Sequence, residues 1–370
     1  MIPTVSQLAF SMIRGMTPEV ASGILEAVGS EDAFFRMSEK ELRDFAQLSS
    51  RIFDDGYRSG LLEKAERELA FISEKGVRTV YFTDKNYPAR FLTVPDAPLM
   101  LFAAGGCELN AKKLVSIVGT RHATNYGVGL CRDLVAGLAE QVGGDVVIVS
   151  GLAYGIDIAA HQAALDAGLP TIAVVAHGLD MIYPAQHRST AAEIVRHGGA
   201  VVTEYPSLTR VHRSNFLARN RIVAALSDCT VVVESAEKGG ALVTANIAQS
   251  YGREVFAFPG KVSDEYSAGC NRLIRKNVAS LLLSAADLAD AMGWDRKEPV
   301  AVQQELFVEL TAEEQRIVDL LAEKGELHIN ELGVALNVPI HRLLSLLVDM
   351  EFRGLIDVLP GNRYAARKKI

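Results

Sequence analysis

Cysteine is scarce and scattered in this chain. The 370 residues hold four, Cys107, Cys131, Cys229 and Cys270, far apart and never as a CxxC pair. That spacing argues against a structural zinc site and offers no disulfide framework, as suits a reducing compartment. No stretch reaches the ~18 apolar residues of a membrane span, and the N-terminus lacks a basic region followed by an apolar run. A cytoplasmic chain with no membrane partner is therefore expected. Two phosphate-binding fingerprints are missing as well. There is no GxxxxGK[ST], and no GxGxxG followed by an acid at the end of the next strand, so neither ATP nor a nicotinamide or flavin cofactor is expected. An excess of positive charge is also absent, since 38 Lys and Arg face 45 Asp and Glu for a formal net charge of −7. A uniformly basic surface is thereby excluded, whereas a local basic groove is not.

What is present is a globular chain. Hydrophobic residues make up 49% and charged residues 22%, enough for a sizeable core, and the length allows two or three domains. Residues 1–76 read as helical. Thr17 can cap a helix with Pro18 at its first position and Gly29 at its end. Ser38 and Glu41 have capping-box spacing, and apolar residues over 61–72 recur at helical spacing before Gly76. The turn Ile13-Arg14-Gly15-Met16-Thr17 resembles a helix-hairpin-helix element, so this part is expected to be a helical, SAM-like domain.

Residues 77–292 alternate strands and helices. Segments 77–82 and 99–103 look like edge strands. Short apolar runs follow at 114–118, 146–150, 171–175, 200–203, 230–234 and 254–258, separated by helical segments at 126–141, 156–167, 190–196, 216–226 and 242–251. Continuous apolar strands alternating with helices imply a parallel sheet covered on both faces. The expected fold class is α/β, an extended Rossmann-like doubly wound domain. Residues 293–309 are polar, carry Pro299 and suit a linker. Residues 310–370 give three helices (312–323, 329–336, 340–353) and a hairpin around Pro360-Gly361-Asn362, the order of a winged helix.

In such a sheet, ligands bind outside the carboxyl ends of the strands. The first regular strand is followed by Gly119-Thr120-Arg121, where an arginine can grip a phosphate. The second is followed by Ser150-Gly151 and then Gly155-Ile156-Asp157 at a helix start. Asp157 and His161 stand one turn apart, but no third ligand accompanies them and no metal is expected. The third strand leads to Tyr183-Pro184-Ala185-Gln186-His187-Arg188. Beyond the fourth lie Arg210, His212, Arg213, Asn215, Phe216, Arg219, Asn220 and Arg221, the densest basic run of the core. Cations with interleaved rings suit a groove that tracks a nucleic-acid backbone. The bland alternative is a solvated basic face with Phe216 in the core. After the fifth strand Gly239-Gly240 opens a helix, and the last leads to Pro259-Gly260-Lys261. No nucleophile–base pair or carboxylate dyad accompanies these loops, so binding without catalysis is expected. Rossmann-like nucleoside-monophosphate phosphoribohydrolases use a similar Gly-Gly turn, but they add a glutamate along the following helix, and 242–251 holds no acid.

These segments resemble one family closely. Ser116-Ile117-Val118-Gly119-Thr120-Arg121, Ser150-Gly151-x-Ala153-x-Gly155-Ile156-Asp157, Gly178-Leu179-Asp180-x-x-Tyr183-Pro184, Thr203-Glu204-Tyr205-Pro206, Phe216-x-x-Arg219-Asn220-Arg221, Gly239-Gly240-x-Leu242-x-Thr244 and Gly269-x-Asn271-x-Leu273-Ile274 follow the order and spacing of the DNA processing protein A (DprA/Smf) family. The resemblance implies a protein that binds single-stranded DNA, protects incoming strands in natural transformation and loads the RecA recombinase onto them. It also implies a homodimer through the Rossmann domain. DNA contacts are expected from Gly119, Thr120, Arg121, Ser150, Gly151, Gln186, His187, Asn215, Phe216, Arg219, Asn220, Arg221, Gly239, Gly240 and Lys261. Two positions depart from the pattern. Ala185 stands where many relatives have lysine or proline, and Asn277-Val278 replaces a usual Gly-Ala. In the winged helix, Arg342 and Arg353 share the presumed recognition helix with Asp349 and Glu351, a mixture that suits protein contact or weak DNA contact better than major-groove readout.

Overall fold

The computed structural model describes residues 2–46, 50–143, 145–294, 310–353, 355–359 and 361–366. The chain forms two compact units, Met1–Val300 and Ala301–Ile370. The linker expected over 293–309 lies outside the described residues from 295 onward.

The first unit begins with helices α1 (Val5–Ser11), α2 (Pro18–Val28), α3 (Glu31–Arg36), α4 (Glu39–Ala46) and α5 (Asp55–Lys75). Side-chain oxygens set their starts. Thr4 forms a capping box with Gln7, and Thr17, Ser30 and Asp54 accept from the amides of Val20, Ala33 and Tyr57. Each bond satisfies an N–H that the first helical turn leaves unpaired. Ser38 and Glu41 bond reciprocally ahead of α4 as expected. The helix expected over 61–72 is the middle of the longer α5, because Asp54 starts the helix earlier; Gly76, at φ 63°, ends it.

The sheet strands are β1 (Arg78–Tyr81), β2 (Met100–Gly105), β3 (Lys113–Val118), β4 (Val146–Ser150), β5 (Thr171–Val174), β6 (Ala200–Thr203), β7 (Cys229–Val232), β8 (Glu254–Ala257) and β9 (Ser280–Leu281). They stand in the order β1-β2-β6-β5-β4-β3-β7-β8-β9. Every neighbouring pair from β6 to β9 is parallel. β2 is antiparallel to both β1 and β6, so only β1 is the edge strand that segment 99–103 was also expected to be. Met100 to Ala103 are buried on both faces, which a central strand requires. β9, only two residues long, has no periodicity to announce it.

Between these strands run α6 (Asn125–Gln141), α7 (Ile156–Asp166), α8 (Arg188–Arg196), α9 (Arg213–Leu226), α10 (Gly240–Ser250), α11 (Ala268–Arg275) and α12 (Ala285–Ala291). Leu134, Leu138, Ile156, Ala160 and Leu288 of α6, α7 and α12 pack on Val115 and Ile117 of β3. Ile222, Leu242 and Leu273 of α9, α10 and α11 join the other core with Leu114 and Val118. Alternate residues of β3 thus serve opposite faces. The result is the extended Rossmann-like, doubly wound sheet that the sequence implies. The helices α1 to α5 bury Phe10, Phe34, Leu61 and Ile72 together with Tyr81, Met100 and Phe102, so they cover β1 and β2.

The walk from β3 goes to β4 on one side and resumes with β7 on the other. The carboxyl ends of β3 and β7 therefore flank the topological switch point, where a crevice opens.

The second unit contains α13 (Ala312–Lys324), β10 (Glu326–His328), α14 (Ile329–Leu336), α15 (Ile340–Phe352), β11 (Ile356–Leu359) and β12 (Arg363–Ala366). The strands pair in the order β10-β12-β11, and Leu321, Leu332, Leu343, Leu347, Met350 and Tyr364 fill the core. This is a winged helix. Among the described residues no single helix is long and apolar enough to cross a membrane. The pair Ile329–Leu336 and Ile340–Glu351 would pass by composition, but it is bent by 110°, and Leu332, Leu336, Leu343 and Leu347 are buried in this core.

One contact ties α5 to the loop after β6. The buried Glu68 carboxylate accepts from Ser207 N at 2.7 Å and Ser207 Oγ at 2.5 Å. Burial pushes this carboxyl above its ordinary value, against the pull of the Ser207 hydrogen bonds. A raised folded value means that the folded chain keeps a proton the unfolded chain has released. The contribution of this group to stability therefore falls as pH rises from the unfolded value through the folded one, and is level above it. Glu68→Gln removes that component. The thermal midpoint of the variant relative to wild type should rise as pH climbs above the ordinary carboxylate range, and level off once the buried carboxyl has ionised. A pH-independent offset would contradict it.

Candidate functional site

The loop after β3 is fixed from below. The amide of Thr120 donates to Glu234 O at 2.7 Å, and Ile156 N donates to Thr120 O at 3.1 Å. The Glu234 side chain, 3% exposed, accepts from Thr124 N at 2.9 Å and Thr124 Oγ1 at 2.6 Å. Thr124 in turn caps α6. Two glycines permit this closeness. A Cβ on Gly119 would stand 2.4 Å from Ile156 Cγ1, and one on Gly155, at φ +78°, would stand 2.1 Å from Thr120 O. The loop is thus clamped between the end of β7 and the start of α7, and Arg121 projects from it into solvent.

The Arg121 guanidinium lies 5.5 Å from the ring centre of Phe216 on α9. The Phe216 ring in turn lies 5.8 Å from the exposed ring of Tyr183, tilted by 56°. Across from this cation–aromatic row stands the start of α10. Gly239 is its N-cap and makes no side-chain capping bond. Leu242 N donates to Gly239 O at 3.2 Å, while no side chain caps the amides before it, and these carry the positive end of the helix dipole. Gly119, Arg121, Phe216, Gly239 and Gly240 line one groove of about 1270 Å³, with Arg213, Lys238 and Arg272 also on its walls. Arg272 lies 3.6 Å from Glu237. His122 and Tyr266 stack at 6.2 Å beside it.

The expected contact residues divide by position. Gly119, Thr120, Arg121, Gly151, Phe216, Arg219, Asn220, Gly239 and Gly240 come together at the groove. Gln186, Asn215 and Lys261 do not line it. Gln186 accepts from Tyr154 Oη at 2.9 Å, Asn215 donates to Arg210 O at 3.3 Å, and Lys261 is exposed. Four are structural in their surroundings. Ser150, fully buried, donates to Ile117 O at 2.6 Å. His187 pairs through Nδ1 with Leu152 O at 2.8 Å. Arg221 forms an ion pair with Glu204. Arg219, 3% exposed, donates from one nitrogen to Gly151 O at 2.6 Å and to Val174 O.

Arg219 borders the groove as an internal cation. Burial pushes its guanidinium down, and the Asp157 charge is the largest influence that holds it up. Burial likewise raises the Asp157 carboxyl, opposed mainly by Arg219. The two flank Gly151, whose Cβ would fall 2.0 Å from Arg219 Nη1 and 2.6 Å from Asp157 Oδ2. His161, the other half of the motif that evoked a metal, is fully buried. Its Nδ1 pairs with Thr171 Oγ1 at 2.8 Å, and burial pushes it down to about 3. Among the described residues no group of three His, Cys, Asp or Glu is placed to hold a metal.

Lys238, Arg213 and Arg272 were not among the expected contacts. Arg213 lay inside the basic run already singled out and Lys238 directly precedes the Gly239-Gly240 pair, whereas Arg272 occupies an unspecified position of the Gly269-x-Asn271-x-Leu273 pattern. The short 3-10 turn Glu265–Ser267 leads into α11 and brings Arg272 to the groove.

Comparison with known proteins agrees with this layout. Residues 78–293 match the model for "DNA recombination-mediator protein A", and residues 304–362 match the "DprA winged helix domain". The chain belongs to the DprA/Smf family. Over 320 residues it is 37% identical to a putative DNA processing protein DprA of Mycobacterium tuberculosis, covering 81% of this chain and 80% of that one. It is 32% identical to protein Smf of Escherichia coli over 318 residues, 82% and 81% of the two chains. DprA of Streptococcus pneumoniae shares its structure with a TM-score of 0.63 at 31% identity, covering 78% of this chain and 98% of the other. DNA processing protein A of Helicobacter pylori, solved to show its single-stranded DNA binding mode, matches with a TM-score of 0.53 at 31% identity, over 60% and 97% of the chains.

The buried position of Arg219 in this DprA-family chain carries its own test. Arg219→Leu leaves the carbonyls of Gly151 and Val174 without their donor and the Asp157 carboxyl without its counter-charge. A loss of about 3–5 kcal/mol is expected, read as a lowered denaturant midpoint. A midpoint within about 0.5 kcal/mol of wild type, the usual range for a surface change, would show that the guanidinium is not held internally.

Proposed function

We propose that the switch-point groove binds the backbone of single-stranded DNA. The supporting observation is the row Arg121–Phe216–Tyr183 set opposite the uncapped start of α10. Phosphate oxygens accept from the amides around Gly239 and Gly240 and from Arg121, while bases stack on the rings. Each stacked base adds about 1–3 kcal/mol and carries little sequence preference. Gly119, Thr120, Gly151 and Asn220 shape the floor. Lys238, Arg213 and Arg272 supply further cations, and Gln186, Asn215 and Lys261 extend the track beyond the groove. Ser150, His187, Arg219 and Arg221 act as scaffold for these contacts rather than as contacts themselves. The match to a relative solved for single-stranded DNA binding supports the same reading.

On the strength of the family, the chain protects incoming strands in natural transformation and passes them to the recombinase RecA. It works as a homodimer joined through the Rossmann-like domain, which doubles the contacts along one strand. The groove binds and does not cleave. Glu234, the acid at the end of β7, is buried and committed to Thr124, Glu237 on the groove wall lies 3.6 Å from Arg272, and α10 carries no acid. Incubation with AMP should release no adenine, and turnover would overturn this part of the reading.

The decisive measurement is fluorescence anisotropy of a labelled single-stranded oligonucleotide across a salt series, with duplex as competitor. Arg121→Ala removes a charge-assisted contact worth roughly 1.5–3 kcal/mol, so affinity should fall about 10- to 100-fold. The slope of log K against log salt should become shallower by about 0.7. Equal binding by wild type and variant would move the site away from the switch point.

A further inference from the structure

The second helix of a helix-turn-helix normally presents polar and basic side chains to DNA. On α15 the outward face is apolar. Ile340, Leu344 and Val348 are 45%, 43% and 54% exposed, and their four-residue spacing puts them on one stripe. Leu343, Leu347 and Met350 are fully buried in the core of the same unit, so the exposed stripe is additional to the face that holds the fold together. Arg342 of α15 and Arg353 just beyond its end are engaged elsewhere. Arg342 pairs with Glu313 of α13 at 2.9 Å, and Arg353 pairs with Glu314 at 2.5 Å and Asp349 at 3.0 Å. At about 100° per residue, the other side chains that share the stripe are His341 near its start and Glu351 near its end. A face with three aliphatic side chains and a carboxylate repels phosphate.

The polar groups bordering the stripe are self-complementary. Two copies of α15 laid antiparallel about a two-fold axis at the level of residue 346 set Leu344 against the partner's Val348, and His341 against the partner's Glu351. Both pairings occur twice, as an isologous contact requires. An imidazole N–H then meets a carboxylate on either side of an aliphatic centre. A parallel pairing would instead bring Glu351 to the partner's Glu351.

We infer that the exposed face of α15 is a homotypic docking surface, through which the winged helix of one chain pairs antiparallel with that of a second copy. The occupant is another winged helix of the same protein, and the contact is separate from any dimer formed by the Rossmann-like unit.

The test uses the full chain. All four native cysteines are buried, so introduced surface thiols dominate oxidative cross-linking. Chains carrying Leu344→Cys are mixed with chains carrying Val348→Cys. The register predicts a mixed disulfide at least about fivefold more abundant than either homodimeric product. Sedimentation gives a second readout. Leu344→Glu should halve the mass of the largest species at a given concentration while leaving the thermal midpoint unchanged, because Leu344 is not part of the core. His341→Glu should weaken association about tenfold, and adding Glu351→Lys should restore it. Cross-linking no greater in the mixture than in the single variants would overturn the proposal. So would unchanged sedimentation of Leu344→Glu accompanied by loss of duplex DNA binding, which would make the face a DNA reader.

Discussion

The Glu234 carboxylate sits where β7 ends, out of contact with water, and accepts both the amide and the hydroxyl of Thr124. Its own carbonyl receives the amide of Thr120. Through these three bonds the end of one strand determines the path of the loop after its neighbour. The position of Arg121, the start of α6 and the width of the groove follow from that path. A buried carboxylate is costly unless its oxygens are satisfied, and here two strong donors satisfy it. Gly127 yields the space, since a Cβ there would stand 2.1 Å from Glu234 Oε2. The groove is therefore a property of the sheet order as much as of any loop. It exists because β3 and β7 are neighbours whose chains depart in opposite directions.

Much of this was legible in the sequence, for physical reasons. Strands buried on both faces show as valine-rich runs, and the alternation with helices left little choice of fold. The loops that gather at the switch point could be named because strand ends in such sheets converge there. The roles within those loops were less legible. Arg219 and Arg221 share a basic segment with Arg213, yet helical geometry sends them to different destinations. One turns inward to two carbonyls, one toward Glu204, and one toward the groove. Sequence shows that the helix carries cations but not which of its faces is buried, because Phe216, Leu217, Ala218 and the run Ile222 to Leu226 place apolar residues all round it. The central place of β2 was hidden for a related reason, because an antiparallel insertion between β1 and β6 leaves no mark in the local pattern.

The two units solve opposite problems with similar materials. In the first, arginines buried among carbonyls and acids fix a frame, and Arg121 faces solvent over the Phe216 ring. In the second, Arg342 and Arg353 are tied to acids on α13 and on α15 itself, and aliphatic side chains are left facing solvent. The charge balance of the whole chain averages over these two arrangements and describes neither.

The uncapped start of α10 has a bearing on how the protein changes over time. Donors that belong to the backbone are untouched by most substitutions, and Gly240 has nothing within 4 Å of where a side chain would begin. Mutational drift can trade one cation on the rim for another while the amide cradle persists unaltered. An alanine scan would therefore undercount this half of the groove, and variation among relatives should concentrate in the rim.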